Sequence, residues 1–334
     1  MTALPPPLPE PSWELTIDGF AIGHGTDADG KTGLTVVLCP EGATAAADVR
    51  GTATGTRQFD SLLKGHSLGT KAHGVVFAGG SGFGLSSSDA VIEHLARGGH
   101  GFATGYRPVP LVPTAILFDL AFGDPTAAPT RELAEQAIDA ATAGPVPCGS
   151  VGAGTGATVG KVAGFERGMK GGLGFASLTV PGGPTVAAVA AVNAFGDVRD
   201  PATGRPIAGC RDAPDGRRLV GADRYVAAQP LEEAHPWEGN TTLLLVLTDA
   251  DLSKRAARKV CEMAFGGLYR TVTPALSLVD GDLVVTLARG SVRAHVHQVG
   301  VLAEAAVTTA IVRAVTTADG FGRLPAVADL ERDT

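Results

Sequence analysis

The 334-residue chain is short of the features that most readily assign a protein to a compartment or a binding class. Its four cysteines, Cys39, Cys148, Cys210 and Cys261, include no C-x-x-C pair. That spacing argues against zinc and disulfide frameworks and for buried free thiols in a reducing compartment. It carries no block of like charge. With 27 Lys and Arg against 34 Asp and Glu, the net charge is -7, which gives no basic footprint and no expectation of a nucleic-acid partner. The start, Met1-Thr2-Ala3-Leu4-Pro5-Pro6-Pro7-Leu8-Pro9, has neither a basic n-region nor an apolar h-region. No signal peptide is expected, residues 1–13 read as a disordered lead, and a cytoplasmic location follows. No run reaches the ~18 apolar residues of a spanning helix without a Gly or polar interruption, so no membrane partner is expected. Repeats of roughly 20–50 residues and low-complexity linkers are also missing, so residues 14–334 read as one domain.

What the chain does have is glycine, 46 of them, and an apolar fraction of 44%. Apolar runs of strand length lie at Leu34 to Cys39, Val75 to Ala78, Ala115 to Leu120, Val186 to Val192, Leu243 to Thr248 and Leu283 to Ala288. Helical patterns lie between and after them at Ser88 to Arg97, Thr130 to Ala143, Leu252 to Phe265 and His297 to Thr317. The last is rich in Ala and Val with few charges, as a helix buried on most of its circumference must be. This mixture predicts a multilayer α/β architecture. Asp200 to Gln229 is the longest irregular stretch, an expected surface excursion that would keep the chain just after it strained and accessible.

The segment Glu238-Gly239-Asn240-Thr241-Thr242 runs straight into Leu243-Leu244-Leu245-Val246-Leu247, setting a hydroxyl where a turn meets a buried strand. If the Asn240–Thr241 bond breaks, Thr241 carries both a nucleophilic hydroxyl and an α-amine that can serve as its base. That amine titrates near pH 8, so much of it is neutral at working pH. Local sequence alone leaves other readings open. Threonine is common where a turn enters a strand, and Asn240-Thr241-Thr242 also fits the glycosylation pattern of secreted eukaryotic proteins.

Two glycine-rich loops imitate better-known motifs. Gly79-Gly80-Ser81-Gly82-Phe83-Gly84 follows a strand and precedes a helix, but Phe83 stands where a nucleophile elbow needs glycine, and the dinucleotide spacing is absent. Gly80 and Ser81 remain candidates to line a substrate site. Gly152 to Lys161 resembles a phosphate-binding loop, but Thr155 occupies the first required glycine position and Val162 follows the lysine. His295 and His297 have no acidic or cysteine partner nearby, so no metal is expected, and no motif calls for a cofactor.

Taken in order, several segments resemble the self-processing N-terminal-nucleophile aminopeptidases and amidases. That family includes the L-aminopeptidase/D-amidase/esterases, the β-peptidyl aminopeptidases and the nylon-oligomer (6-aminohexanoate-oligomer) hydrolases. The segments are Gly23-His24, Thr32 to Val37, Asp48-Val49-Arg50-Gly51, Gly55-Thr56-Arg57, Phe77 to Leu85, Val112 to Asp119, Gly152 to Lys161, Val192-Asn193, Gly239 to Thr242 and Asp280-Gly281-Asp282. The resemblance implies a four-layer αββα sandwich, cut into chains 1–240 and 241–334. The resulting heterodimers would assemble further, into tetramers. It implies Thr241 as nucleophile, Asn193 as oxyanion donor, Lys161 as support for the charge balance of attack, and Asp280 as the acid that orients the new amine. The substrate would be a small peptide or amide.

The chain also departs from its relatives. Leu276-Ser277 replaces a His-Thr, Leu278 stands where the nylon-oligomer enzymes have a second aspartate, and Phe118 replaces a tyrosine of the catalytic region. Two alternatives therefore accompany the hydrolase. One is an acyltransferase that uses its N-terminal threonine as ornithine acetyltransferase does. The other is a binding homologue that never matures.

Overall fold

A computed structural model describes residues 6–228 and 239–331. The main strands are β1 (Ala21–Asp27), β2 (Thr32–Val49), β3 (Lys71–Ala78), β4 (Thr114–Ile116), β5 (Gly172–Thr179), β6 (Thr185–Asn193), β7 (Thr241–Ala250) and β8 (Leu283–Val292). The main helices are α1 (Ser88–Arg97), α2 (Arg131–Asp139), α3 (Lys254–Thr271) and α4 (Val296–Thr316).

One strand serves two layers. The C-terminal part of β2, Thr44 to Val49, pairs with β8 and closes a sheet of order β5-β6-β7-β8-β2. Its N-terminal part, Thr32 to Leu38, pairs with β1 on one side and β3 on the other, with β4 beyond. The register of β2 against β3 slips between Leu38 and Ala43, an irregularity of the kind that bends a strand.

Period-two alternation then assigns each side chain to a layer. Leu243, Leu245 and Leu247 face Val37, Val75 and Phe77 between the sheets, whereas Leu244 and Val246 face α3 and α4. Leu34, Val36, Val76 and Ala78 turn outward against Val91 and Leu95 of α1 and Ala134 and Ile138 of α2. The order is helices, sheet, sheet, helices, which is the expected αββα sandwich. Each fully buried Leu, Val or Phe at these interfaces contributes about 1.5–3 kcal/mol.

The predicted elements sit where they were expected, with shifted ends. The Thr130 hydroxyl accepts from the Leu133 N–H and caps α2, while Ser253 caps α3 through the Ala256 N–H, so α3 starts after Leu252 and runs on to Thr271. The strand expected to reach Leu120 ends at Ile116, because the Asp119 carboxylate turns the chain back. It accepts from the Gly80 N–H at 2.6 Å and the Thr32 hydroxyl at 2.8 Å. Part of the expected lead is ordered: Arg313 on α4 donates to the Pro11 and Ser12 carbonyls and stacks over Trp13 at 3.6 Å. α4 is long and apolar enough to cross a membrane by composition, yet packs one face on β5 and β6 and another on α3. Cys39, Cys210 and Cys261 are buried, Cys148 is partly so, and all four are free thiols.

Candidate active site

Thr241 opens β7 in the middle of its sheet. On the antiparallel side it pairs with Asn193, the last residue of β6. On the parallel side Asn240 bridges Asp280, just ahead of β8. The Asn240 N–H donates to the Val279 carbonyl at 3.0 Å, and the Asn240 carbonyl accepts from the Gly281 N–H at 2.8 Å. The ladder thus extends one residue beyond the strand, and Asn240 and Thr241 are 1% and 2% exposed. This corrects the expectation of an accessible junction: pairing with a central strand buries the bond. Gln229 to Glu238, which precede it, lie outside the described residues.

The Thr241 hydroxyl donates to the Asn240 carbonyl oxygen, beside the bond that maturation would break. Gly281 makes this approach possible. A Cβ built there would lie 2.7 Å from Thr241 Oγ1 and 2.6 Å from the Ala53 carbonyl oxygen.

Asn193 connects Thr241 to the Gly152–Lys161 loop. Its Oδ1 accepts from Lys161 Nζ at 2.9 Å and from the Thr158 N–H at 3.0 Å, while its Nδ2 donates to the Phe118 carbonyl at 2.9 Å. An amide nitrogen carries two hydrogens, so the bond to Phe118 uses only half of its donor capacity. Lys161 is 5% exposed and also donates to the Thr158 carbonyl at 3.1 Å. The structure therefore brings together Thr241, Asn193, Lys161 and Phe118, four residues that are far apart in the chain.

Asp280 and Asp282 form a buried carboxyl pair on the other side of Thr241. Asp280 accepts from the Phe195 N–H at 3.2 Å, the Ser277 N–H at 3.0 Å and the Ser277 hydroxyl at 2.6 Å. Asp282 accepts from the Thr242 N–H at 2.6 Å and the Leu276 N–H at 3.2 Å. Burial raises the pKa of Asp280. Burial, and then the neighbouring Asp280 charge, pushes Asp282 up to about 8. Within the Asp280-Gly281-Asp282 motif, the sequence assigns a role to Asp280 and none to Gly281 or Asp282. The available signal was the period-two spacing of the two acids just before an apolar strand. Of the departures, Leu278 points to solvent, and Leu276 adopts a left-handed conformation that aims its N–H at Asp282.

A narrow cleft beside this network is lined by Phe118, Phe122, Phe165, Lys161 and Gly239, among others. Gly80 and Ser81 do not line this cleft. Their N–H groups donate to the Asp119 carboxylate and the Leu117 carbonyl, bracing the chain on either side of Phe118. His295 uses Nδ1 to cap α4 by accepting from the His297 N–H. Among the described residues, no group of three or more His, Cys, Asp and Glu could hold a metal ion.

The excursion after β6 is organised rather than loose. Asp197 accepts from the Cys210 N–H at 2.7 Å and the Ala222 N–H at 2.6 Å, and the Arg211 guanidinium donates to the carbonyls of Glu166 and Gly168. These bonds fasten the excursion onto the segment that follows Lys161.

The sequence matches the profile of Peptidase family S58 over residues 15–323. An uncharacterized aminopeptidase of Mycobacterium leprae is 36% identical over 340 residues, covering 92% of this chain and 91% of its own. A 6-aminohexanoate-oligomer endohydrolase of Paenarthrobacter ureafaciens is 31% identical over 273 residues, covering 79% of this chain and 71% of its own. The solved L-aminopeptidase D-Ala-esterase/amidase of Ochrobactrum anthropi, described as a variant of the Ntn-hydrolase fold, superposes with a TM-score of 0.70 at 19% identity. That match covers 98% of this chain and 94% of the other. A Burkholderia β-aminopeptidase gives 0.69 at 19% identity, covering 97% and 94%.

Proposed function

This chain belongs to peptidase family S58 and is a hydrolase of amide or peptide bonds, and from that premise we propose that it cuts its own Asn240–Thr241 bond and then uses Thr241 as an N-terminal nucleophile. The observation that carries this reading is the Thr241 hydroxyl resting on the Asn240 carbonyl, which the Gly281 N–H already polarises at 2.8 Å.

In the processing step Thr241 Oγ attacks the Asn240 carbonyl carbon. Negative charge gathers on the Asn240 oxygen, where the Gly281 N–H strengthens its bond. The C–N bond breaks and the hydroxyl proton passes to the departing nitrogen. Water then hydrolyses the ester, leaving a carboxylate on Asn240 and a free amine on Thr241. In turnover the same hydroxyl attacks a substrate carbonyl. The Thr241 amine takes the proton and delivers it to the leaving amine, the second Asn193 Nδ2 hydrogen holds the oxyanion, and water then hydrolyses the acyl ester to free Thr241. Lys161 fixes the amide by occupying its oxygen. Asp280 supplies the carboxylate that balances the ammonium form of the amine.

Small peptides and amides are the proposed substrates. Oligomers of 6-aminohexanoate belong in the first screen because a relative is named for them. A cytoplasmic tetramer of cleaved heterodimers is the proposed working form. The test is intact mass spectrometry of the purified protein during incubation, with N-terminal sequencing of the smaller product. The expected fragment begins Thr241-Thr242-Leu243, and Thr241→Ala abolishes it. A Thr241→Ala chain that still splits there would sink the proposal.

A further inference from the structure

The short antiparallel strands Thr158–Val159 and Met169–Lys170 place a second lysine under the loop that carries Lys161. Lys170 is fully buried, yet its ammonium is well supplied with acceptors. It donates to three backbone carbonyls, those of Gly154 at 2.8 Å, Ala157 at 2.9 Å and Gly171 at 3.1 Å. Three acceptors match the three hydrogens of an ammonium. The Phe122 ring lies 5.3 Å from the same nitrogen.

Two of the three carbonyls belong to the Gly152–Lys161 loop, and the third immediately precedes β5. The Ala157 carbonyl lies in the peptide whose N–H, on Thr158, holds Asn193 Oδ1 at 3.0 Å. A tether on one end of that peptide therefore sets the direction of the other, because the peptide is planar. Asp119 abuts the same loop: a Cβ at Gly156 would meet Asp119 Oδ2 at 2.6 Å. The loop is thus held by Lys170 and packed against Asp119, and what it presents to Asn193 is fixed by groups that touch neither Thr241 nor Asn193.

We propose that Lys170 is a positioning residue for the hydrolytic reaction, its buried ammonium gathering the carbonyls of Gly154, Ala157 and Gly171 so that Thr158 and Lys161 hold the Asn193 amide in register with Thr241. The inference rests on the reading of Thr241 and Asn193 given above. Burial lowers the pKa of Lys170 to about 7, the cost of a cation kept in the interior by these bonds.

The test uses the full chain and three variants, Lys170→Met, Lys170→Gln and Lys170→Arg. Melting temperature, the cleaved fraction by intact mass, and kcat and KM per cleaved chain are measured on a panel of amino-acid p-nitroanilides. Lys170→Met is expected to lose about 10–100-fold in kcat with KM within about threefold, the scale of a misplaced catalytic group. Lys170→Arg is expected to recover at least about tenfold of that loss, a rescue that a merely structural role does not produce. A folded Lys170→Met chain with kcat within about twofold of the parent overturns the inference, as does a folded Lys170→Arg chain no faster than Lys170→Met. If Lys170→Met does not fold, Lys170→Gln replaces it on the same criteria. A parent that neither cleaves nor hydrolyses any substrate refutes the underlying reading instead.

Discussion

Gly281→Ala adds one methyl group at the point where the Thr241 hydroxyl, the Ala53 carbonyl and the Asn240 carbonyl converge. The backbone at Gly281 is not in the left-handed region, so alanine can adopt it, and the perturbation is one of contact alone. The new Cβ would lie 2.7 Å from Thr241 Oγ1 and 2.6 Å from the Ala53 oxygen. Restoring ordinary contact requires a shift of roughly 0.5–1 Å. A misplacement of about 1 Å costs on the order of 100-fold in rate, equivalent to about 2.7 kcal/mol of barrier. The overpacked interior should lose about 1–3 kcal/mol of stability. The assay is the first-order appearance of the Thr241 fragment by intact mass. Gly65→Ala serves as the control, because a Cβ there meets nothing within 4 Å and should leave the rate unchanged. A Gly281→Ala chain that cleaves at the parental rate would refute the account of how the hydroxyl is held against its carbonyl.

Asn193→Ala removes an acceptor from the Lys161 ammonium and a donor from the Phe118 carbonyl. It should lower stability by about 1.5–3 kcal/mol in urea unfolding and reduce kcat far more than it changes KM. The Asp282 carboxyl, raised to about 8 in the folded chain, holds its proton where the unfolded chain has lost it. Its contribution to stability is therefore full below about pH 4, the unfolded value, and is lost as pH rises through about 8. In a Thr241→Ala background, Asp282→Asn should flatten the fall in melting temperature over that window. Asp119 and Asp197, each raised by burial to about 6, would leave a smaller slope of the same sign.

The strands that periodicity found are those whose faces are both apolar, such as Leu243 to Leu247. β1 and β5 were missed for one physical reason. Both carry glycine at alternate positions, Gly23 and Gly25 in one and Gly172 and Gly174 in the other, and such sequence reads as turn. In the fold these glycines let a helix backbone ride on the strand. A Cβ at Gly23 would lie 1.9 Å from the Ala137 carbonyl of α2, and one at Gly174 1.9 Å from the Ala310 carbonyl of α4. Thr241, Asn193, Lys161 and Asp280 were legible through the resemblance, because motifs in a fixed order carry information that spacing alone does not. Lys170 was not legible. Its partners are main-chain carbonyls, which leave no trace in side-chain identity, and nothing local distinguishes it from a surface lysine.

The place of β7 between β6 and β8 has a consequence for the cut protein. Cleavage before Thr241 would make one product from β7, β8, α3 and α4, and the other from the strands on both sides of that pair. Two polypeptides would then be woven through one sheet, and neither could leave without breaking every rung that β7 shares with β6 and that β8 shares with β2. Unfolding, unimolecular in the precursor, would become dissociation, and recovery would require two chains to meet at finite concentration. Maturation would in this way act as a ratchet: the active form is reached once, from a single folded chain, and dilution works against any return from the denatured state.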